Sequence, residues 1–319
     1  MTARRPGRAG PRRAGGVRLA PVLLRPGLAQ FGRRVLDPGL SWELQRRRFD
    51  QVTSAALLPR GTTITETTLS GVRTEVVSAR GRPDRRTVVH FHGGGYCIGS
   101  ALMARGWAAR LSGQAGCRVL LPEYRLAPEH PFPAALDDAR AIVTALLGQP
   151  GAGPVVVSGD SAGAGLALSA VLARRDAGEP PPAGCILLSP WIDLGAHRLA
   201  SPGQVRRDVL LSPGWLEACA SAYTPPSQWA DPAVSPLHAW HGGLPPLLIQ
   251  AGSDELIAPA AGQLAGRASA AGTQVSYTRF PRMWHDFGLQ PGVVAAADSA
   301  LAQAAWFVRA VTRTSAAAG

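Results

Sequence analysis

Short apolar runs alternate along the chain with segments of helical periodicity. Two polar-alternating segments come first, at 62–69 and 72–78, and the Ser-Gly pair between them is typical of a hairpin turn. The apolar runs that follow are short enough to be buried strands; they lie at 87–91, 119–121, 154–158, 185–189, 246–251 and 275–280. The helical segments lie at 101–114, 134–147, 162–175, 259–271 and 293–313. This alternation predicts an α/β fold with an eight-stranded, mostly parallel sheet and helices on both faces.

Residues 193–243 interrupt this alternation. This region is rich in Trp and Pro and contains one helix-like segment at 213–222, so it is interpreted as an insertion. Another helix is predicted ahead of the hairpin, at 41–58, with Ser41 as its cap. Because no linker divides the predicted strands, we expect one domain over 18–319 with an added cap, and not two independent domains.

The formal net charge of +12 is concentrated at the start of the chain. Residues 1–50 hold twelve arginines against three acidic residues, so the other 269 residues carry only +3. Nucleic-acid binding would require a basic body, so it is not expected. Residues 1–17 are predicted to be a disordered, arginine-rich arm.

Other features of the composition exclude further classes of protein. No apolar stretch approaches the ~18 residues of a membrane-spanning helix, and arginine and proline interrupt 17–31, which excludes the apolar core of a signal peptide. A cytoplasmic protein without membrane contact is therefore expected. The four cysteines form no C-x-x-C pair and have no zinc-ligand spacing to histidine, so free thiols and no metal are predicted.

The sequence Gly159-Asp160-Ser161-Ala162-Gly163 directly follows an apolar run and opens a helix rich in alanine and leucine. A G-x-S-x-G pattern is informative in this strand–turn–helix context. The glycines allow strand and helix to approach closely, and the helix N-terminus offers backbone N–H groups to a developing oxyanion. A glycine-rich turn with an incidental serine is the alternative. The context favours Ser161 as a nucleophile.

A second glycine-rich motif, His92-Gly93-Gly94-Gly95, follows the third predicted strand. Glycines expose backbone N–H groups with no side chain in the way, and acyl transfer needs such donors aimed at the oxygen of its tetrahedral intermediate. The predicted oxyanion donors are therefore the amides of Gly94, Gly95 and Ala162. Three glycines alone would indicate only a flexible loop, but the serine turn downstream makes the pair of motifs specific.

A nucleophilic serine needs a base. Of the seven histidines, His285 lies in a loop between the last predicted strand and the last helix. The carboxyl ends of strands are where open α/β sheets place their site residues. The chain order of serine, acid and histidine also fits, so His285 is the predicted base.

Three carboxylates could orient that base, because all three follow predicted strands. Asp254 and Glu255 share one loop, and Asp193 follows an earlier strand. Asp254 is four residues beyond Gln250, which leaves room for a turn toward His285, and its shorter side chain is less mobile. Glu255 is predicted to point away, and Asp193 to brace the insertion.

These motifs together resemble those of the hormone-sensitive-lipase-like family of α/β-hydrolases, which includes bacterial acetyl esterases and arylesterases. The likeness covers about 36–311. It also includes the segments YRLAPEHPFPAA at 124–135 and SPWIDL at 189–194.

The resemblance implies an α/β-hydrolase fold and a triad of Ser161, Asp254 and His285, with no metal and no organic cofactor. It also implies that the helical cap is formed by about 18–60 together with 194–243. The expected activity is hydrolysis of small or short-acyl esters through an acyl-enzyme, by a monomer or homodimer. Hydrolysis of a lactone or an aryl amide by the same triad is an alternative. Non-catalytic binding of a small molecule is a further one, since a fold does not fix a function.

Overall fold

Eight strands form one sheet in a computed structural model that describes residues 19–54, 58–79, 86–149, 151 and 153–315. The predicted arm at 1–17 lies outside the described residues. The strands are β1 (Thr62–Leu69), β2 (Val72–Ala79), β3 (Thr87–Phe91), β4 (Arg118–Pro122), β5 (Val155–Asp160), β6 (Gly184–Leu188), β7 (Leu247–Gly252) and β8 (Val275–Phe280).

The strand order is β1-β2-β4-β3-β5-β6-β7-β8. The pairs β1–β2 and β2–β4 are antiparallel, and the other five are parallel. The first pair is joined at Ser70 and Gly71, both with positive φ, as the hairpin turn requires. The predicted eight-stranded, mostly parallel sheet is confirmed.

Helices cover both faces of this sheet. They are α1 (Pro21–Val35), α2 (Trp42–Thr53), α3 (Arg105–Ala115), α4 (Ala134–Gly148), α5 (Ser161–Asp176), α6 (Pro202–Arg207), α7 (Pro213–Tyr223), α8 (Ala258–Ala270) and α9 (Ala295–Ser315). Helices α3 and α9 share one apolar cluster, which contains Val88, Val156 and Ile186. Helices α4, α5 and α8 share a second cluster on the opposite face of the sheet. It contains Val89 and Val157, the next residues of β3 and β5. The central strands are buried on both faces, which is why they are continuously apolar in sequence.

Helix α1 is not predicted by the sequence analysis, because arginine and proline interrupt its apolar pattern. Pro21 is tolerated at the start of the helix, where its missing N–H has no partner to lose. Pro26 lies within the helix on its exposed side. Leu24 and Leu28 are on the other side and pack against an apolar cluster around Trp284. The helix is therefore held by its contacts with the body of the protein.

The two segments predicted to form the cap contact each other. The indole N–H of Trp215 in α7 donates to the side-chain oxygen of Gln45 in α2, at 2.9 Å. Arg46 in α2 donates to the carbonyl oxygens of Cys97 and Ala127, each at 2.8 Å. These bonds fasten α2 beside the glycine-rich loop after β3.

Two sequence expectations concern membranes and thiols. Every helix within the described residues is too short or too polar to cross a lipid bilayer. All four cysteines are free, as predicted, and all four are buried.

Candidate active site

Ser161 lies at the turn between β5 and α5. The backbone reverses direction there, and the glycines on either side of the serine have no room for a side chain. The φ of Ser161 is +51°, a left-handed conformation that non-glycine residues adopt rarely. A Cβ on Gly163 would overlap the carbonyl oxygens of Phe91 and His92, and one on Gly159 would overlap the backbone of Gly163. Gly163 is thus required by the close approach of α5 to the end of β3, and Gly159 by the tight turn between β5 and α5.

His285, in the loop after β8, contacts this serine. Its Nε2 lies 2.8 Å from Oγ of Ser161. Both residues are buried, with 5% and 6% of their surface exposed. The structure therefore joins two of the predicted residues in the geometry that a nucleophile and its base require.

The third predicted residue, Asp254, is not beside the imidazole. Its Oδ2 accepts a hydrogen bond from Arg25 of α1 at 2.9 Å, and its Oδ1 accepts one from Ser253 at 3.1 Å. Glu255 takes the position instead, with Oε2 3.2 Å from Nδ1 of His285. The expectation that Asp254 faces His285 and Glu255 points away is wrong.

The reason for this exchange lies in the path of the loop after β7. The amide of Asp254 donates to the carbonyl of Met283. This bond holds the loop after β7 beside the loop that carries His285. Oε1 of Glu255 accepts from the amide of Gly252 and from the hydroxyl of Ser189, the latter at 2.7 Å. Asp254 is then left on the outer side, where α1 supplies Arg25.

The remaining carboxylate, Asp193, has a local role. Its Oδ1 accepts a hydrogen bond from the amide of Gly195 at 3.0 Å and lies 3.6 Å from Nε2 of His238. It therefore braces the start of the inserted region, as expected.

Asp160 connects the serine turn to the glycine-rich loop. Its Oδ2 accepts the amide of Gly93 at 3.0 Å, and its Oδ1 is hydrogen-bonded to Nε2 of His90 at 2.9 Å. Nδ1 of His90 in turn contacts Oγ of Ser158 at 3.0 Å. This buried network fixes the loop relative to Ser161.

The other residues of the loop are placed by stacking and by backbone conformation. The ring of His92 stacks on Tyr124 with centroids 4.4 Å apart, and its Nδ1 bonds the carbonyl of Gly93. Gly94 and Gly95 have φ of +112° and +63°, values that favour glycine. Within the described part of the chain, the amides of Gly94, Gly95 and Ala162 have no hydrogen-bond acceptor.

Two residues near the base are absent from the predicted site. Ser189, at the end of β6, bonds Glu255, and Asp286 has Oδ2 3.2 Å from Nε2 of His285. Ser189 follows a buried strand, and Asp286 is the neighbour of the predicted base, so position in the sequence could have indicated both.

Three buried ionisable groups interact at this point. Burial lowers the pKa of His285, but the carboxylates of Asp286 and Glu255 outweigh burial and raise that pKa well above its usual value. Burial raises the pKa of Glu255, against the opposing hydrogen bond from His285. Burial also raises the pKa of Asp286, to about 7. Both carboxyl groups thus act on the imidazole of His285, and both favour its charged form.

Comparison with known proteins agrees with the fold. A sequence model of the α/β-hydrolase fold matches residues 88–289. An acetyl-hydrolase of Streptomyces hygroscopicus is 40% identical over 72% of this chain and 78% of its own length. An esterase of Acinetobacter venetianus is 36% identical over 75% of this chain and 79% of its own.

Solved structures give the same answer. A hormone-sensitive lipase from a metagenome library superposes with a TM-score of 0.87 at 31% identity, over 92% of this chain and 99% of its own. The sheet order, the serine turn and the matched relatives define an α/β-hydrolase. Within that class, the chain belongs to the hormone-sensitive-lipase-like family.

Proposed function

We propose that this protein is a serine carboxylic-ester hydrolase that acts through an acyl-enzyme. The observation that carries the proposal is the chain of contacts from Ser161 to His285 to Glu255, at 2.8 Å and 3.2 Å. The relatives, an acetyl-hydrolase and an esterase, support the same reaction.

In the first half of the reaction, Nε2 of His285 takes the proton of Ser161 as Oγ attacks the ester carbonyl carbon. Glu255 accepts the Nδ1–H of His285, which holds the required tautomer and stabilises the imidazolium. The carbonyl oxygen becomes an oxyanion, for which the free amides of Gly94, Gly95 and Ala162 are the donors.

The imidazolium of His285 then protonates the leaving alcohol as the carbon–oxygen bond breaks, which leaves the acyl group on Ser161 and completes the first half of the reaction. In the second half, the neutral imidazole removes a proton from water, which attacks the acyl carbon. Collapse of the second intermediate releases the acid and returns the proton to Ser161. Because all three groups are buried, the charges that form interact in a medium of low dielectric constant.

Crowding at the glycine-rich loop favours small acyl groups. A Cβ on Gly95 would meet the Sγ of Cys219 at 2.6 Å and the indole of Trp215 at 3.1 Å, both from α7. Helix α7 therefore packs directly on the loop that carries the proposed oxyanion donors. We propose that the described residues of about 18–60, together with 194–243, form the cap and set the acyl-length preference. Lactones and aryl amides stay alternative substrates of the same triad.

The test is hydrolysis of p-nitrophenyl esters from acetate to decanoate, beside a lactone and an aryl amide, by the wild type, Ser161→Ala and Ser169→Ala. Ser169 lies in the same helix and is also buried. We expect kcat to fall by roughly 10⁶ in Ser161→Ala, because the nucleophile is lost, and to change little in Ser169→Ala. Residual turnover near that of the wild type in Ser161→Ala would contradict the proposal. A rate that rises toward decanoate would contradict the short-acyl preference.

A further inference from the structure

Asp286 competes with Ser161 for one nitrogen atom. Its Oδ2 lies 3.2 Å from Nε2 of His285, and Oγ of Ser161 lies 2.8 Å from the same atom. The proposed reaction uses Glu255 on the other nitrogen and needs no second carboxylate. The presence of Asp286 at Nε2 therefore calls for a separate explanation.

The backbone of Asp286 is fixed in this place. Its φ is +55°, in the left-handed region, and its amide donates to Oγ of Ser189 at 3.1 Å. That hydroxyl donates in turn to Glu255 at 2.7 Å. The hydroxyl of Ser189 therefore bonds both residues that flank the imidazole, the side chain of Glu255 and the backbone of Asp286.

Among the described residues, the carboxylate itself has one hydrogen-bond partner, His285. Oδ1 of Asp286 is buried and lacks a hydrogen-bond partner within the described residues. A buried carboxylate without other donors is costly to keep charged unless a cation lies beside it. The imidazole of His285 supplies that cation only when Nε2 carries a proton.

The two protonation states of His285 respond to Asp286 in opposite ways. When Nε2 is neutral, its lone pair accepts the Ser161 hydroxyl and faces the carboxylate unfavourably. When Nε2 is protonated, the N–H points at two acceptors, Oγ and Oδ2, and the positive ring is attracted to the carboxylate.

We propose that Asp286 is a positioning residue that retains a proton on Nε2 of His285 and stabilises the imidazolium formed during the reaction. This inference rests on the proposed function, since it assigns a role in that reaction.

Two other titratable groups face His285 and Asp286, and both are retained when Asp286 is substituted. Glu255 contacts the imidazole from the loop after β7. Asp160, at the end of β5, acts on Asp286 through its charge and is itself bonded to His90. Because they stay in place, removal of Asp286 isolates its own effect.

The direction of the effect follows from the charges. Burial lowers the pKa of His285, while Asp286 and Glu255 raise it well above the usual value. Activity requires the neutral imidazole, so kcat/KM rises with pH through that raised pKa. Without Asp286, the rising limb moves to lower pH.

The experiment measures kcat/KM against pH for a neutral ester with the wild type, Asp286→Asn and Asp286→Gly. Asparagine and glycine both tolerate positive φ, so either variant keeps the turn. We expect the midpoint of the rising limb to fall by about one pH unit or more, as for the loss of an adjacent opposite charge. Below both midpoints, each variant then retains an about tenfold larger fraction of its own plateau activity than the wild type does, since one pKa unit is a factor of ten.

Asp176→Asn is the matched control, because it removes one carboxylate whose side chain is 65% exposed at the end of α5. Its profile should coincide with that of the wild type. A rising limb that stays at the wild-type midpoint in both Asp286 variants would overturn the inference, as would an equal shift in the control.

Titration of the His285 ring by NMR separates this inference from the proposed function. The ring pKa is read without substrate and should fall in both Asp286 variants even if no ester is hydrolysed. An unchanged ring pKa in a protein that does hydrolyse esters would overturn the role of Asp286 alone.

Discussion

The serine turn after β5 and the acid loop after β7 both follow buried parallel strands, but different kinds of contact shape them. In the serine turn, the backbone of α5 lies so close to Phe91 and His92 that Gly163 admits no side chain, and the turn itself is too tight for one at Gly159. In the acid loop, the choice between Asp254 and Glu255 depends on side-chain partners, namely Arg25 for one and His285 for the other.

The two regions therefore differ in what a sequence can reveal. The serine turn imposes a steric requirement that only glycine meets, so its motif is visible in the amino acids themselves. The acid loop offers two adjacent carboxylates of the same chemistry. Which of them meets the histidine is decided by the direction in which the chain leaves Gly252.

The largest expected effect tests the acid loop. Glu255→Gln should reduce kcat by roughly 10⁴, because the orienting acid of His285 is lost. Asp254→Asn should stay within about tenfold of the wild type, as expected for a partly exposed ion pair with Arg25. Both are measured with the same ester and with thermal melting to show that the variants are folded. A crippled Asp254→Asn beside an active Glu255→Gln would restore the original assignment of the acid.

The next effect tests the serine turn. Gly163→Ala should lower the free energy of unfolding by roughly 3 kcal/mol, because the new Cβ overlaps the carbonyls of Phe91 and His92. Gly266→Ala is the matched control, since Gly266 lies in α8 and a Cβ there meets no atom within 4 Å. It should raise stability by about 0.5–1 kcal/mol. Urea unfolding measures both changes, and equal stability of the two variants would show that the turn tolerates a side chain.

The smallest expected effect tests whether α1, through Arg25, stabilises the acid loop. Arg25→Met removes the bond to Asp254 and the bond to the carbonyl of Arg207, at 2.9 Å and 2.7 Å. It should lower the free energy of unfolding by about 1–2 kcal/mol and change kcat less than Glu255→Gln does. Arg33→Met, an exposed arginine of the same helix, should stay within about 0.5 kcal/mol of the wild type. Equal melting temperatures of the two variants would mean that α1 does not stabilise the loop.

The amino acids alone predict the sheet and most of the proposed chemistry. Alternation of apolar runs and helical periodicity reflects strands buried on both faces, so eight strands are found from the pattern. The glycine motifs around Ser161 and after β3 encode steric needs of the backbone. His285 is found by its place after the last strand. Each of these signals is local, because it arises from residues that are neighbours in the chain.

Only the tertiary structure decides the features that depend on residues distant in the chain, namely helix α1 and the roles of the two adjacent acids. Helix α1 is hidden in the sequence by its prolines and is held by packing on the cluster around Trp284. Its Arg25 comes from 229 positions away to draw Asp254 outward. Glu255 then meets His285 across 30 positions. Adjacent carboxylates have the same local propensities, so only the folded chain, by bringing a cation to one and an imidazole to the other, separates their roles.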